Sequence, residues 1–333
     1  MSTATDATEL AARSPALPFA FSALRDLPQI AVVAAFCAEP ATRDFALVNL
    51  GVQALMFALG ACLPAYRTGV MAFTDCVWPP GLLVIGVLAL LFGDPGSALL
   101  VAIAGVYILM GLRGIAMAIY FVRITAFPHE DIPRYHYRRV VWRREGYKSD
   151  TVPMIHEILQ QGLVNSSVLA APAMLAVAER HAGIGPVVVA GAVLWAASWT
   201  LESLADVQKA RFAKRCASEG SRRTCDVGLW RYSRHPNYFF EWLAWHGLIL
   251  MALPSLIRLA GDFALLPWLG FAAGLGGISA GMYYVLIYLT GAIPAEYWSV
   301  QRRSGYRDYQ QRVNRFFPGP SRRPDKARGP RHA

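Results

Sequence analysis

The chain has few of the residue patterns that build metal centres, redox sites and dinucleotide-binding domains. Its five cysteines contain no Cys-x-x-Cys pair, so we expect free thiols rather than a dithiol or zinc site. The seven histidines show neither His-x-x-His nor His-Glu-x-x-His spacing, and we therefore expect no metal ion. A Gly-x-Gly-x-x-Gly fingerprint after a strand is also missing, which argues against a Rossmann domain.

Charge is scarce as well, and this places the protein in a membrane. Only 16% of the 333 residues are charged, 55% are hydrophobic, and the mean hydropathy is +0.34. Soluble domains rarely combine these values, and nothing in them suggests a nucleic-acid partner. The first residues carry Asp6 and Glu9 where a secretory signal would carry Lys or Arg, so we interpret residues 1–44 as an interfacial or disordered leader.

Long apolar runs predict an all-α, polytopic integral membrane bundle. A run of about 18 to 25 apolar residues is long enough for one helix to cross the hydrocarbon core. The sequence contains seven such runs, at residues 45–66, 76–93, 97–122, 153–178, 182–204, 238–257 and 262–290.

The positive charge predicts the orientation of these spans. Of 32 Lys and Arg residues, 25 lie in residues 123–148, 209–234 and 302–331, which follow the third, fifth and seventh spans. Because basic loops stay in the cytoplasm, we expect the N-terminus outside and the C-terminus inside. Residues 297–313 predict an amphipathic helix on the cytoplasmic surface, and residues 319–333 a basic, disordered tail attracted to membrane lipids.

Polar side chains are densest where the sixth span begins. Residues 229–242 combine arginines, an imidazole, an amide, a carboxylate and aromatic rings, and the preceding loop begins with Glu202, Asp206 and Gln208. Guanidinium groups suit a diphosphate, aromatic faces suit adenine, and carboxylates or amides suit ribose hydroxyls. Glu202, Asp206 and Lys209 could alternatively form only a salt-bridged stripe on one helix face.

These residues also carry a family resemblance. The C-terminal domain of the steroid 5-alpha-reductase family, in particular its bacterial domain-of-unknown-function 1295 branch, resembles residues 45–318. The similarity lies in Tyr232-Ser-Arg234-His235-Pro236-Asn237-Tyr238-x-x-Glu241, in Glu202-x-x-x-Asp206-x-Gln208, in Glu130-Asp131-Ile-Pro-Arg134-Tyr135, in Thr74-Asp75-x-x-Trp78 and in Arg113.

The resemblance implies a seven-helix reductase of a bacterial inner membrane. Such an enzyme takes NADPH from the cytoplasm and a lipophilic, steroid-like enone from the bilayer. The double bond conjugated to the ketone would be reduced. The cofactor residues of the family map onto Arg113, Arg134, Glu202, Asp206, Arg234, Asn237, Tyr238 and Glu241. To this predicted cofactor set we add residues beside them, namely Arg123, Tyr135, Gln208, Arg211, Tyr232 and His235.

Reduction of an enone places negative charge on the carbonyl oxygen, so a hydrogen-bond donor or acid must stand there in a dry pocket. In the relatives a carboxylic acid and a tyrosine among the first three spans have this role. Our candidates are Asp75 and Tyr107, with Gln53 as a helper. Tyr107 could equally serve helix packing, and Asp75 could contact Arg123 or a lipid headgroup.

Two other functions remain open. Isoprenylcysteine carboxyl methyltransferases share the Arg-His-Pro-x-Tyr-x-x-Glu run but bind S-adenosylmethionine, which has no phosphate and needs fewer arginines. A lipid-binding protein without turnover could also keep the pocket. Phe240 stands where steroid reductases commonly have glycine, and its ring could alter the shape of the floor of the predicted cofactor site.

Overall fold

The computed structural model describes residues 26–179 and 183–322, and these residues form helices joined by short loops. We number the helices in chain order. They are α1 (Leu27–Ala38), α2 (Arg43–Thr68), α3 (Phe73–Phe92), α4 (Ala98–Ile124), α5 (Pro133–Arg144), α6 (Thr151–Ala178), α7 (Pro186–Ser218), α8 (Pro236–Arg258), α9 (Leu265–Tyr284), α10 (Ala292–Arg302) and α11 (Tyr306–Arg312).

The prediction of an all-α fold with seven membrane spans is confirmed. In the described part of the chain, seven helical segments are long and apolar enough to cross a membrane. They correspond to α2, α3, α4, α6, α7, α8 and the segment that begins with α9. The largest difference in length is at α7, which continues to Ser218 although the apolar run ends near residue 204. Its polar extension is helical because Ala, Gln, Lys and Arg all favour helix.

Part of the predicted leader is an ordered helix. Within α1, Val32, Val33 and Phe36 are buried, and the Phe36 ring lies 4.7 Å from the ring of Phe271 in α9. Residues 1–25 lie outside the described residues, as do residues 323–333 of the predicted tail. A helix of twelve residues is too short to span a membrane, and burial of its apolar face accounts for its packing.

The chain divides into two compact units. Unit 1 contains residues 1–193 and 246–281, and unit 2 contains residues 194–245 and 282–333. In unit 1, α3 and α4 pack closely because α4 carries Gly111, where a Cβ atom would lie 2.6 Å from the backbone nitrogen of Leu83. Small residues allow such close contact between membrane helices.

Unit 2 ends in two short helices where we predicted one. The predicted amphipathic helix over residues 297–313 is interrupted between α10 and α11 at Gly305, whose φ is +72°. Glycine adopts this left-handed conformation without steric cost, so the chain turns there. The turn directs Tyr306 and Tyr309 into a small core with Val313.

Candidate functional site

In unit 1, the first turn of α3 meets the first turn of α5. The Arg134 Nη2 atom lies 2.5 Å from Asp75 Oδ2, and the Tyr135 hydroxyl donates to Asp75 Oδ1 at 2.9 Å. Burial and the adjacent Asp75 carboxylate raise the pKa of the Tyr135 phenol well above its usual value. The phenol therefore keeps its proton at neutral pH. The structure thus joins a predicted catalytic residue, Asp75, to two predicted cofactor residues.

A second carboxylate fixes the loop ahead of Asp75. Asp131 accepts hydrogen bonds from the backbone nitrogens of Met71 and Ala72, at 3.0 and 2.9 Å. Arg139 donates both to Asp131 Oδ2 and to the carbonyl oxygen of Gly69, each at 2.6 Å. These four contacts hold residues 69–72 and so orient the start of α3. Asp131 acts through the backbone, which explains the acidic residue in the motif Glu130-Asp131-Ile-Pro-Arg134-Tyr135.

A cluster of buried amides lies deeper in unit 1, among α2, α3 and α6. The Gln53 Nε2 atom donates to Asn49 Oδ1 at 3.2 Å and to the carbonyl oxygen of Gly81 at 2.9 Å. Asn165 Nδ2 donates to Gln53 Oε1 at 3.3 Å. The three amide side chains are fully buried. Within the described residues, Asn49 Nδ2 and Asn165 Oδ1 have no hydrogen-bond partner.

Buried amide atoms that lack a hydrogen-bond partner reduce the stability of a protein. A buried donor or acceptor without a partner destabilises a protein by about 1–3 kcal/mol, and native structures contain few of them. Asn49 and Asn165 therefore offer one donor and one acceptor to a polar group that enters an apolar environment. Sequence reasoning named Gln53 but missed Asn49. The sequence did indicate Asn49, because it precedes Gln53 by four residues and residues four apart in a helix lie on the same face.

Tyr107 lies apart from the other two catalytic candidates. Its buried hydroxyl donates to the carbonyl oxygen of Leu169, at the break in α6 where the helix narrows to a 3₁₀ turn. Asp75 accepts a hydrogen bond from Tyr135, and Gln53 donates to Asn49 and to the Gly81 carbonyl oxygen. The structure therefore places the three candidates in separate environments, and their catalytic roles stay predictions. Of the predicted arginines of α4, Arg113 is half-buried and Arg123 is exposed.

In unit 2, the carboxylate of Glu296 is the centre of a buried ionic network. Arg234 donates to it through Nε at 2.8 Å and Nη2 at 3.2 Å, and His235 Nε2 lies 3.2 Å away. Gln310 and Arg315 add contacts at 3.0 and 3.3 Å. The remaining nitrogen of Arg234, Nη1, donates to the carbonyl oxygens of residues 310 and 313. Arg234 thus binds the C-terminal segment to the start of α8.

Further hydrogen bonds fix the loop before α8. The Tyr309 hydroxyl donates to the carbonyl oxygen of Trp230 at 2.5 Å, and Trp230 Nε1 donates to the carbonyl oxygen of Ala205 at 2.9 Å. Gln208 Oε1 accepts from the backbone nitrogen of Leu229 at 2.9 Å. Gln208, predicted to contact the cofactor, therefore orients residues 228–231 against α7. Tyr232 and Arg211 are exposed on this side of unit 2.

Polar side chains also connect α7 to the first turn of α8. Asn237 Nδ2 donates to Asp206 Oδ1 at 3.1 Å, whereas Asn237 Oδ1 is buried and has no partner among the described residues. The rings of His235 and Tyr238 stack at 5.3 Å and an interplanar angle of 1°. Glu202 is buried, Glu241 is half-buried, and the half-buried Phe240 packs edge-on to Phe239 at 5.2 Å.

Burial makes His235 sensitive to acid. Burial lowers the pKa of its imidazole from 6.5 to about 4, and this effect outweighs the opposing effect of the contact with Glu296. The neutral ring contributes stability that is complete above pH 6.5 and is lost as the pH falls towards 4, since the unfolded chain then binds the extra proton. We expect the thermal unfolding midpoint to fall over this interval, by less in His235→Gln. The exposed His136 provides the control, and a His136→Gln variant that flattens the profile equally would contradict this assignment.

The described residues contain no group of three His, Cys, Asp or Glu side chains that could hold a metal ion. All five cysteines are free, as expected.

No curated protein and no solved structure matches the chain. A family model described as "Protein of unknown function (DUF1295)" matches residues 63–313, which include Asp75, Asn165, Asn237 and Glu296. This match covers three quarters of the sequence, and the chain therefore belongs to the DUF1295 family.

Proposed function

We propose that the protein is a membrane-embedded, NADPH-dependent reductase of the conjugated carbon–carbon double bond in a lipophilic, steroid-like enone. The observation that supports this most strongly is the buried amide cluster of Asn49, Gln53 and Asn165 in unit 1. A buried, unpaired amide donor among apolar helices suits a substrate that is apolar except for one carbonyl oxygen.

Reduction of an enone requires a hydrogen-bond donor beside the carbonyl oxygen, where negative charge develops. When bound, NADPH supplies the hydride that adds to the β-carbon of the enone. The carbonyl oxygen then becomes negative, and a fixed N–H group in a water-free pocket stabilises that charge. In our proposal Asn49 Nδ2 is this donor. Gln53 is a positioning residue, because its hydrogen bond to Asn49 Oδ1 fixes which end of the Asn49 amide is available.

The surface of α7 and α8 in unit 2 fits a nucleotide. Asp206 and the unpaired Asn237 Oδ1 atom are acceptors, and ribose hydroxyls are donors of matching geometry. The stacked rings of His235 and Tyr238 provide a flat face for a heterocycle. In this proposal Arg234 is a positioning residue, because its donors are engaged with Glu296 and the C-terminal segment.

A thermal-shift titration of the detergent-purified protein identifies the cofactor. A ligand that binds only the folded protein at 100 times its Kd stabilises it by about 2.7 kcal/mol. We expect NADPH to raise the melting temperature by several degrees, and Asn237→Leu to abolish the shift. Gln301→Leu is the control, since the exposed Gln301 side chain bonds only within its own helix.

The alternative cofactor is tested in the same titration. S-adenosylmethionine also carries a ribose, so it could use the acceptors of Asp206 and Asn237. A shift with S-adenosylmethionine and none with NADPH would contradict reduction in favour of methyl transfer. No shift with NADPH, NADH or S-adenosylmethionine would favour a lipid-binding protein without turnover.

A further inference from the structure

Unit 2 contains a cavity of about 290 Å³ where α9 reaches the C-terminal segment. Tyr283 and Tyr288 line one side, and Asn314, Arg315, Phe316 and Phe317 line the other. A short π-helical turn at residues 285–289 follows Tyr283 and contains Tyr288. Such turns occur frequently at functional sites.

The depth of this cavity follows from the length of α9. The helix begins at Leu265, and at 1.5 Å per residue Tyr283 lies roughly 27 Å along it. The hydrocarbon core of a bilayer is about 30 Å thick. Tyr283 and Tyr288 therefore lie near the boundary between hydrocarbon and headgroups, which is where tyrosine is enriched in membrane proteins.

Arg315 supplies a fixed positive charge to the cavity. Its Nε atom donates to Glu296 at 3.3 Å, and its side chain is 33% exposed. Within the described residues, its two terminal nitrogens make no hydrogen bond. Two hydrogen bonds fix the backbone on either side of Arg315. The backbone nitrogen of Arg234 donates to the carbonyl oxygen of Asn314, and Ser233 Oγ donates to the carbonyl oxygen of Phe316, both at 2.8 Å. The guanidinium is thus presented from a rigid segment, in the geometry that binds a phosphate.

The remaining wall of the cavity is apolar and partly exposed. Phe317 is 50% exposed, and its ring stacks on Tyr283 at 6.2 Å. Tyr288 is 44% exposed and stacks on Tyr284 at 5.7 Å. An alkyl chain could lie against these rings while a phosphate contacts Arg315. A ligand with both parts at this depth is a phospholipid.

We propose that this cavity binds the headgroup phosphate of an anionic phospholipid, with the acyl chain along Tyr283 and Phe317. The formal net charge of the protein is +10, which favours an anionic over a zwitterionic headgroup. The site is separate from the proposed cofactor surface of Asp206 and Asn237, and its occupancy requires neither NADPH nor an enone.

Native mass spectrometry of the detergent-purified protein, titrated with phosphatidylglycerol, tests the proposal. We expect Arg315→Gln to weaken binding about tenfold, as for the loss of one charge-assisted contact. Arg312→Gln is the matched control, because Arg312 is also 33% exposed and faces Asp226 at 3.7 Å. Binding in this control should stay within about twofold of the wild type. If both variants lose phosphatidylglycerol binding equally, the lipid is attracted to the basic segment in general, and the proposal of a specific site is overturned.

A second variant decides the matter if Arg315→Gln does not fold. Phe317→Glu places a negative charge in the wall of the cavity at an exposed position, so we expect a folded protein that no longer retains phosphatidylglycerol. Retention equal to that of the wild type would overturn the proposal. Inorganic phosphate at millimolar concentration is the competing probe. Complete displacement of the lipid by inorganic phosphate would identify a free-phosphate site instead.

Discussion

We expect the replacement of Asn49 with leucine to lower the proposed rate of enone reduction about a hundredfold and to leave the melting temperature almost unchanged. The loss of one preorganised donor to a developing oxyanion reduces kcat by roughly 10²–10³-fold. The stability should change little because leucine has a similar volume and the variant exchanges one unpaired buried amide donor for another: Asn49 Nδ2 is removed, while one N–H of Gln53 loses its acceptor. Gln53 keeps its hydrogen bond to the Gly81 carbonyl in the variant. NADPH consumption at 340 nm with a steroid enone, together with a thermal melt, measures both effects.

The control for this variant is Ser166→Ala. Ser166 is also buried in a span, but its hydroxyl bonds only the Gly162 carbonyl one turn earlier in α6. We expect its kcat to match that of the wild type. If Asn49→Leu is folded and reduces the enone at the full rate, Asn49 is not the donor.

The second large effect concerns the stability of unit 2. Glu296→Gln preserves the shape of the side chain but leaves the buried Arg234 guanidinium without a counter-ion. Breaking a buried ion pair in this way costs about 3–5 kcal/mol, whereas the pair itself need not be worth that much. We expect the denaturant midpoint to fall accordingly, and the C-terminal segment to become accessible to protease because Arg234 no longer holds it.

An exposed ion pair in the same unit provides the comparison. Glu219 pairs with Arg223 four residues along the chain, just after the end of α7, and both side chains are about half exposed. Surface pairs of this kind contribute between about 0 and 1 kcal/mol, so Glu219→Gln should change the midpoint little. Equal effects of the two substitutions would show that Glu296 is not the centre of the network.

The membrane spans could be predicted because their signal is local. An apolar run of sufficient length forms a helix in the bilayer whatever its neighbours, since every backbone group is then satisfied within the segment. Helix α5 could not be found in this way, because its sequence Pro-Arg-Tyr-His-Tyr-Arg-Arg has no apolar stripe. Tertiary contacts stabilise it instead, including the hydrogen bond that Arg138 Nε donates to Glu157 Oε2 at 3.0 Å.

Site residues could be named from the sequence, but their partners could not. Arg234 and Glu296 are 62 residues apart in the chain, and nothing local indicates that they meet. Arg234 therefore suggested a phosphate ligand, although the structure shows it bound to a carboxylate and two carbonyls. Asn237 and Asp206 were both predicted, and their contact supports a polar surface there.

The most direct test of the proposed function follows the hydride itself. The wild-type protein in detergent is supplied with NADPH that carries deuterium at the transferable position, together with a steroid enone, and the product is analysed by mass spectrometry and NMR. We expect one deuterium at the former β-carbon, a solvent proton at the α-carbon, and an equal amount of NADP⁺. Enone that remains unreduced by a protein whose melting temperature NADPH does not change, or a methylated product formed from S-adenosylmethionine, would contradict the account.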